Sequence, residues 1–549
     1  MWKKLLITGC MAFCLLGGSA LSAQPSCETK EEVTSEQLNR TKKGLDAMLK
    51  ELKNNSWYQS ELNKAASLAT PSEQMQAYKS LAGRLISVLE IQAELEWMKP
   101  EAIQEALGIM KKSSGFDANL AEKRFSELKS LLSRGFAGIY TGDQQALDKA
   151  NKALALKREL MLMSPDVNVD KMLTVKFNLG ERANFVGAGS LGIQPNNWSN
   201  LSSASRKNFK AELVELSGLK SGNLQEKTIY KPAVEGSSVT DLVLNWDGKR
   251  LMFTALDTTR RWQVHEINLE GGEARQVTNI PEPDLEFFDA TYLPDGRMLA
   301  ISNIGYQGVP CVNGSDAVGN MVLYDPSNGD LRRLTFDQDA NWAPTVMNNG
   351  RIMYTRWEYT DLTHYFSRFV MHMNPDGTEQ KSLYGSGSYF PNSTFDAKPL
   401  PGGSSQFIGV ISGHHGVTRS GRLMLFDPSK SRKSEKGMLQ ELPFRDRKIE
   451  PIVKDRLVDG VWPQFIKPYP LTDKYFLVTA KLNESALWGV YLIDIYDNLT
   501  LIAEFEGEGL ICPTPVVQRP VPPVIPEKIN LASKEATVFI QDIYEGEGL

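Results

Sequence analysis

The chain has 549 residues, more than one ordinary hydrophobic core accommodates, so at least two domains are expected. Hydrophobic residues make up 41% and charged residues 23%, a globular composition that excludes a disordered chain or a membrane-embedded bundle. The 61 lysines and arginines stand against 66 aspartates and glutamates, and the net charge of -5 gives no basic surface for nucleic acid.

Residues 1–23 have the layout of a secretory signal peptide. Two lysines after Trp2 supply positive charge, an apolar stretch runs from Leu5 to Leu16, and small residues lead up to Ala23. We therefore expect cleavage after Ala23 and an extracytoplasmic location, periplasmic or at the cell surface. A membrane anchor is disfavoured because the apolar stretch is short, and a lipoprotein box at Cys10 is disfavoured because only five residues separate it from the lysines. No later segment is apolar enough to span a bilayer.

The cysteines are few. Three remain after the expected cleavage, Cys27, Cys311 and Cys512. This low, odd number is not a disulfide framework, and the sequence does not say whether any two of them pair. The chain has no Cys-x-x-Cys-His, so we expect no covalently attached haem.

Residues 31–165 have the hydrophobic period of α-helices. Apolar side chains recur on one face in four stretches, near 38–52, 71–97, 120–131 and 147–163. Glycine and proline are sparse until Ser164 and Pro165. We predict an all-α domain of several antiparallel helices, used for packing or for contact with a partner and carrying no chemistry.

Residues 172–526 consist of short β-rich runs in which two units recur. The first unit is a turn before an apolar strand, as at 245–248 before 251–253, and it occurs five times. The second unit lies downstream, as at 322–326, and it occurs six times because a copy at 211–216 precedes all the turn units. The repeat length of about fifty residues is that of a four-stranded propeller blade. We predict an all-β propeller of six blades, with seven as the alternative.

The additional copy predicts how the ring closes. The hairpin at 211–230 would complete a last blade with strands near 510–517, so that no edge strand is left open. We expect the proline-rich stretch 513–526 to be a stiff extended segment that leaves the ring. Residues 527–549 are expected to begin a further segment that is cut short at Leu549.

Several stretches also carry a family resemblance. They are Gly-Val-Pro-Cys-Val at 308–312, Tyr-Thr-Arg-Trp-Glu-Tyr-Thr-Asp at 354–361, Ser-Gly-His-His-Gly at 412–416, and 469–478 and 542–546. From about Met172 onward the chain resembles proteins related to the hydrazine synthase alpha subunit, relatives of TolB-type periplasmic propellers. The resemblance does not cover 31–165. It implies a propeller beside which zinc is bound with a cysteine ligand, matched here by Cys311, and a haem-bearing domain that follows the propeller in relatives.

The cysteine and histidines are the candidate metal ligands. Cys311 lies in a loop flanked by glycine and proline, where a thiolate would bind zinc together with further ligands or where the thiol is simply free. His414 and His415 are adjacent in or beside a strand, so their side chains should point to opposite faces and at most one should reach a shared pocket. His364 and His372 have no partner at metal-ligand spacing, and packing or hydrogen bonding is expected of them.

Arg356, Glu358 and Asp361 are the candidate polar residues of a ligand-binding channel. The interpretation we favour is that Arg356 and Glu358 pair along one strand and hold a loop, and the alternative is that all three line the channel and bind a polar ligand. The chain has no Gly-x-Ser-x-Gly, phosphate-binding glycine loop or His-Glu-x-x-His, which argues against a propeller peptidase. The first hypothesis is therefore an exported, noncatalytic propeller that binds a protein, glycan or small molecule. The second is a metal- or haem-dependent redox enzyme subunit.

Overall fold

A computed structural model describes residues 33–178, 195, 197–204, 206–207, 209–358, 368–415, 417, 419–484 and 486–535. The expected signal peptide, Cys27, His364, Asp361 and residues 536–549 lie outside these ranges. No helix within them is long and apolar enough to cross a membrane.

Six α-helices precede the first strand in the described part of the chain. They are α1 Ser35–Leu49, α2 Ser56–Ala66, α3 Pro71–Leu95, α4 Pro100–Met110, α5 Ala118–Ser133 and α6 Gln144–Leu162. Helices α1 and α3 begin with capping boxes, in which Thr34 and Thr70 exchange hydrogen bonds with the residue three positions on. The predicted helical N-terminal region is confirmed. Two helices were not predicted, α2 and α4, because 11 residues are too few to show a clear apolar period.

The strands form four sheets of four and one sheet of eight. The eight-stranded sheet is two groups of four joined by one parallel bridge between Arg368 and Ser393, so the described strands make six antiparallel sets of four. The first three sets are β4 Val239–Leu244, β5 Arg250–Leu256, β6 Trp262–Asn268, β7 Arg275–Gln276; β8 Phe287–Tyr292, β9 Met298–Ser302, β10 Asn320–Tyr324, β11 Leu331–Arg333; and β12 Asn341–Val346, β13 Ile352–Trp357, β14 Arg368–Met373, β15 Lys381–Tyr384. The next two are β16 Ser393–Pro399, β17 Phe407–Ser412, β18 Arg422–Phe426, β19 Met438–Leu442; and β20 Gln464–Pro470, β21 Tyr475–Lys481, β22 Gly489–Asp494, β23 Leu499–Ala503.

The sixth set combines the two ends of the β region. Its strands are β1 Lys171–Asn178, β2 Ala211–Ser217, β3 Gln225–Tyr230 and β24 Glu508–Pro515, in the order β24-β1-β2-β3. Strand β24 pairs antiparallel with β1, from Met172 opposite Pro515 to Asn178 opposite Glu508. The hairpin at 211–230 therefore shares a sheet with 508–515, with β1 between them.

The edge strand that begins each set carries the same irregularity. These first strands are β4, β8, β12, β16, β20 and β24, and each has one non-glycine residue with φ between 50° and 62°. We call these six the bulge residues: Asp241, Asp289, Ala343, Asp396, Lys467 and Cys512. The pairing with the neighbouring strand shifts register at or opposite each of them. A bulge leaves a backbone N–H without a ladder partner and changes the direction of the side chain. Because every set carries its bulge on the first strand, the six positions are structurally equivalent.

The proline-rich segment after β24 lies against the turns of the sets, which corrects the expectation that it leaves them. The backbone N–H of Arg519 donates to the carbonyl of Trp246, between β4 and β5, at 2.9 Å. Glu527 accepts from Arg332 of β11 at 3.0 Å. Composition predicts an extended chain, whereas the partners that hold it are supplied by distant turns.

Helices α4, α5 and α6 share a hydrophobic core with the strands. Leu107 of α4, Phe125 of α5 and Leu160 of α6 are buried together with Leu492 of β22 and Leu216 of β2. These three helices therefore pack against the sets β20–β23 and β24-β1-β2-β3. Lys157 of α6 places a buried ammonium at this interface, where it donates to the carbonyl of Leu499 in β23.

The interface around Lys157 makes stability depend on pH. Burial raises the pKa of Glu94 and that of Asp494 to about 7. Below that pH the native carboxyls keep protons that the unfolded chain has already lost, so the free energy of unfolding falls as the pH rises from about 4.5 to about 7. Across this window we expect the free energy of unfolding of Glu94→Gln to fall by about 2 kcal/mol less than that of the wild type. Urea denaturation measures the difference. The exposed Glu273→Gln should follow the wild type, and equal slopes for all three proteins would contradict this assignment.

Candidate binding site

A cavity of about 800 Å³ lies between the first strands of all six sets. All six bulge residues line it, and it extends past them towards the turns that end the first strands, where the segment 517–522 forms part of its wall. The sequence places these residues at a fixed distance from the turns. Asp241, Asp289 and Lys467 each precede the aspartate of the following turn by six residues.

The bulge carboxylates link neighbouring sets. Asp241 Oδ2 accepts from the N–H of Asp289 at 3.3 Å, and Asp289 Oδ2 accepts from the N–H of Ala343. Asp396 Oδ2 accepts from the N–H of Lys467 at 3.3 Å. In each case the acceptor lies on one first strand and the donor is the bulge residue of the next. These aspartates therefore satisfy N–H groups that the bulges leave without a ladder partner.

Lys467 is the cation that balances two of these carboxylates. Its Nζ lies 3.0 Å from Asp396 Oδ1 and 3.8 Å from Asp241 Oδ1. Burial by itself would lower the pKa of Lys467, but Asp396 and Asp241 raise it above its ordinary value. Burial, with Asp289 nearby, raises the pKa of Asp241 to about 6. The Lys467 ammonium is thus charged and fully paired.

Cys512 occupies the bulge position of β24 and its thiol is free and buried. Burial raises the pKa of this thiol to about 12, although Lys467 acts in the opposite direction. The protonated thiol is neither a nucleophile nor a good metal ligand at neutral pH.

A second layer of the cavity wall lies two residues after the bulge residues. It consists of Val243, Thr291, Thr345, Lys398, Tyr469 and Thr514, one from each set. Lys398 is half-buried, and among the described residues its ammonium has no hydrogen-bond or ion-pair partner. Burial lowers the pKa of Lys398, and the positive charge of Lys467 adds to this. Neither the bulge residues nor Lys398 was identified from the sequence. The six-residue spacing between a bulge residue and the following turn is the pattern that could have identified the bulge residues.

The segment 197–200 packs towards the beginning of the first strands, away from the cavity. The carbonyl of Asn197 accepts from Arg368 Nε at 2.7 Å, and its Oδ1 accepts from the N–H of Arg419 at 2.9 Å. The guanidinium of Arg419 lies over the rings of Trp342 and Phe395, which directly precede two bulge residues. This segment joins several sets at the end of the first strands opposite the cavity.

The two adjacent histidines lie in the connection after β17, which ends at Ser412. Their ring centroids are 4.0 Å apart in an edge-to-face arrangement, and both rings contact Trp198. The expectation that they point to opposite faces is therefore wrong, because side chains alternate only while the chain remains extended in a strand. His415 Nδ1 lies 2.8 Å from Asp455 Oδ1 at the surface.

The predicted metal ligands do not form a complete set in the described part of the chain. Cys311 lies in a short 3-10 helix, Pro310–Val312, and its side chain is outside the described atoms. Among the side chains that are described, no three His, Cys, Asp or Glu groups come together as a metal site. Zinc binding by Cys311 with His414 or His415 stays a prediction. His372 has the expected hydrogen-bonding role, because its Nδ1 accepts from Arg351 Nε at 2.9 Å.

Arg356 and Glu358 pair with each other rather than lining the cavity. Arg356 Nη2 lies 2.5 Å from Glu358 Oε1 and 2.9 Å from Asp337 Oδ1. Arg356 belongs to β13, the second strand of its set, so that β12 stands between it and the cavity. The favoured interpretation, a pair between Arg356 and Glu358, is confirmed. A place of these two residues and Asp361 in a ligand-binding channel stays a prediction, and Asp361 lies outside the described residues.

No family model and no curated protein matches this chain. Similar solved structures include hydrazine synthase from Kuenenia stuttgartiensis, with 15% identity and a TM-score of 0.47 over 65% of this chain and 48% of that one. TolB from Acinetobacter baumannii has 12% identity and a TM-score of 0.39 over 66% of this chain and 72% of that one. A putative TolB from Agrobacterium tumefaciens has 16% identity and a TM-score of 0.32 over 50% of this chain and 90% of that one. The chain spans about half the length of that hydrazine synthase chain.

Proposed function

We propose that this protein is an exported propeller that binds a small polar molecule, or the end of a peptide, in the cavity between its first strands. The observation that carries the proposal is the cavity itself, whose volume of about 800 Å³ is within the range of small-molecule sites. Its wall combines apolar residues with a few charged groups that belong to four of the six first strands, and such placed polar groups fix the orientation of a ligand.

We also infer that the six sets are six blades closed into a ring. The support is that the first strands contact one another in the order β24, β4, β8, β12, β16, β20, and that β20 again contacts β24. The aspartate bridges between successive bulge residues favour the same arrangement. In such a ring the cavity is one end of the central channel, and the segment 197–200 lies towards the other.

The state of two groups in the cavity, Cys512 and Lys467, favours binding over nucleophilic catalysis by either of them. The thiol of Cys512 is kept protonated by burial, and the ammonium of Lys467 is held charged between carboxylates. Neither group is therefore available as a nucleophile or as a base. A zinc- or haem-dependent redox subunit remains the alternative prediction, and it would require ligands beyond those described here.

A ligand screen with a cavity-filling variant tests the proposal. We expect some members of a panel of carboxylates, amines, sugars and short peptides to raise the melting temperature of the full chain by several degrees, since ligand at about 100 times its Kd adds about 2.7 kcal/mol. Thr345→Trp would fill the cavity and abolish the shift, whereas Glu273→Trp, at an exposed loop, would retain it. The proposal is wrong if no compound of the panel acts, or if the shifts are the same in Thr345→Trp.

A further inference from the structure

We propose that the cavity recognises a carboxylate group on its ligand, and that Lys398 is the residue that binds it. This inference rests on the binding function proposed above and names the chemical class of the ligand. The group could belong to a small organic acid or to the C-terminus of a peptide, and both would be bound by the same ammonium.

Lys398 is a cation in the cavity wall that no described carboxylate pairs with, whereas Arg519, a second cation in the same wall, donates to the carbonyl of Leu244 at 2.7 Å. Strand β16 places it two residues beyond Asp396, so that it faces the cavity at the level of the second layer. Among the described residues no acceptor lies within hydrogen-bond or ion-pair distance of its ammonium. A half-buried charge without a partner is unfavourable, and a ligand anion would supply the missing partner.

The carboxylates nearby do not fill that role because other groups already occupy them. Asp396 accepts both the backbone N–H and the ammonium of Lys467. Asp289 accepts the N–H of Ala343, and Asp241 accepts the N–H of Asp289. Asp396 and Asp289 act on Lys398 only as more distant charges. The aspartates thus hold the sets together, while Lys398 is left to the ligand.

Two hydroxyl groups lie at the positions equivalent to Lys398 in the preceding sets. Thr345 of β12 and Thr291 of β8 both line the cavity, and neither hydroxyl has a hydrogen-bond partner among the described residues. A carboxylate has two acceptor oxygens, so it can take a charged hydrogen bond from an ammonium and a neutral one from a hydroxyl. An ammonium beside hydroxyls that can donate is a set of groups suited to a carboxylate.

Calorimetry with matched pairs of compounds tests this inference on the full chain. The probes are hexanoate and hexanamide as small molecules, and trialanine and its C-terminal amide as peptides. We expect the carboxylates to bind at least about tenfold more tightly than their amides, because a hydrogen bond to a charged group is worth that much. Binding of hexanoate alone would identify a small organic acid as the source of the carboxylate, and binding of trialanine alone would identify a peptide end.

Two substitutions at the same position separate charge from shape. Lys398→Met should weaken carboxylate binding by about tenfold or more and leave amide binding unchanged, whereas Lys398→Arg should retain most of the affinity. Lys398→Met removes a charge that has no partner, so we expect it to fold, and its melting temperature verifies this. Equal carboxylate binding by wild type and Lys398→Met would overturn the inference while the binding function stands. Failure of every carboxylate to bind wild type, in a protein that binds other members of the panel, would overturn it as well.

Discussion

Replacing Asp396 with alanine is expected to lower the free energy of unfolding by about 3–5 kcal/mol, because it leaves a buried cation without its partner. Asp396 is only 5% exposed and lies 3.0 Å from the ammonium of Lys467. Burial by itself would raise the pKa of Asp396, but Lys467 holds it below its ordinary value. The stabilisation is therefore present above the unfolded pKa of an aspartate and is lost as the pH falls through the lower folded value.

Urea denaturation at neutral pH measures this effect, and a double variant identifies its cause. Asp396→Ala with Lys467→Met should recover part of the loss, since the unpaired charge is then removed together with its partner. Asp473→Ala, at an exposed turn residue next to β21, should change stability by less than about 0.5 kcal/mol. If Asp396→Ala behaved like Asp473→Ala, the bridge between the sets would not contribute to stability as described.

Substitution of Lys157 by methionine is expected to lower the free energy of unfolding by about 3 kcal/mol, because it removes hydrogen bonds to two buried carbonyls. The side chain is 3% exposed, and its Nζ donates to the carbonyls of Trp97 at 2.7 Å and Leu499 at 2.6 Å. One carbonyl follows helix α3 and the other belongs to β23, so a single ammonium joins the helices to the strands. Methionine fills the same space but leaves both carbonyls unsatisfied and removes the cation that faces Glu94 and Asp494.

The matched control for Lys157 lies on the same helix. Lys149→Met, at an exposed position of α6, should change the free energy of unfolding by less than about 0.5 kcal/mol. Limited proteolysis gives a second measurement, because loss of the Lys157 contacts should make the helices more accessible to cleavage while the strands remain protected. Equal stability and equal proteolysis of the two variants would show that the buried ammonium does not hold the interface.

The N-terminal helices and the β-strand repeats were predicted from the sequence because their signals are local. The apolar residues of α3 and α6 recur at helical spacing, and the Asp-Gly and Asn-Gly pairs supply the positive φ that the turns require. That 508–515 shares a sheet with the hairpin at 211–230 could also be anticipated, because one copy of the repeat had no partner. Strand β1 was missed as the element between them, since it has no turn of the repeat type before it.

The candidate site could not be predicted in the same way. Cys311, His414 and His415 attracted attention as residue types that bind metals, yet the two histidines contact Trp198 and each other in a connection between strands. Arg356 and Glu358 pair with each other, as the sequence suggested, and neither is among the residues that line the cavity. Residue type alone does not say which side chains face a common space.

The amino-acid sequence by itself determined where most of the helices, turns and strands form, since backbone preference and apolar period act over a few neighbouring residues. Only the tertiary structure decided that Asp396 is paired and that Lys398, two positions further along the same strand, has no partner among the described residues. Asp396 meets Lys467, 71 residues away, because two first strands lie side by side. The state of a charged group depends on such distant neighbours and on its burial, and neither quantity is encoded in the residues next to it.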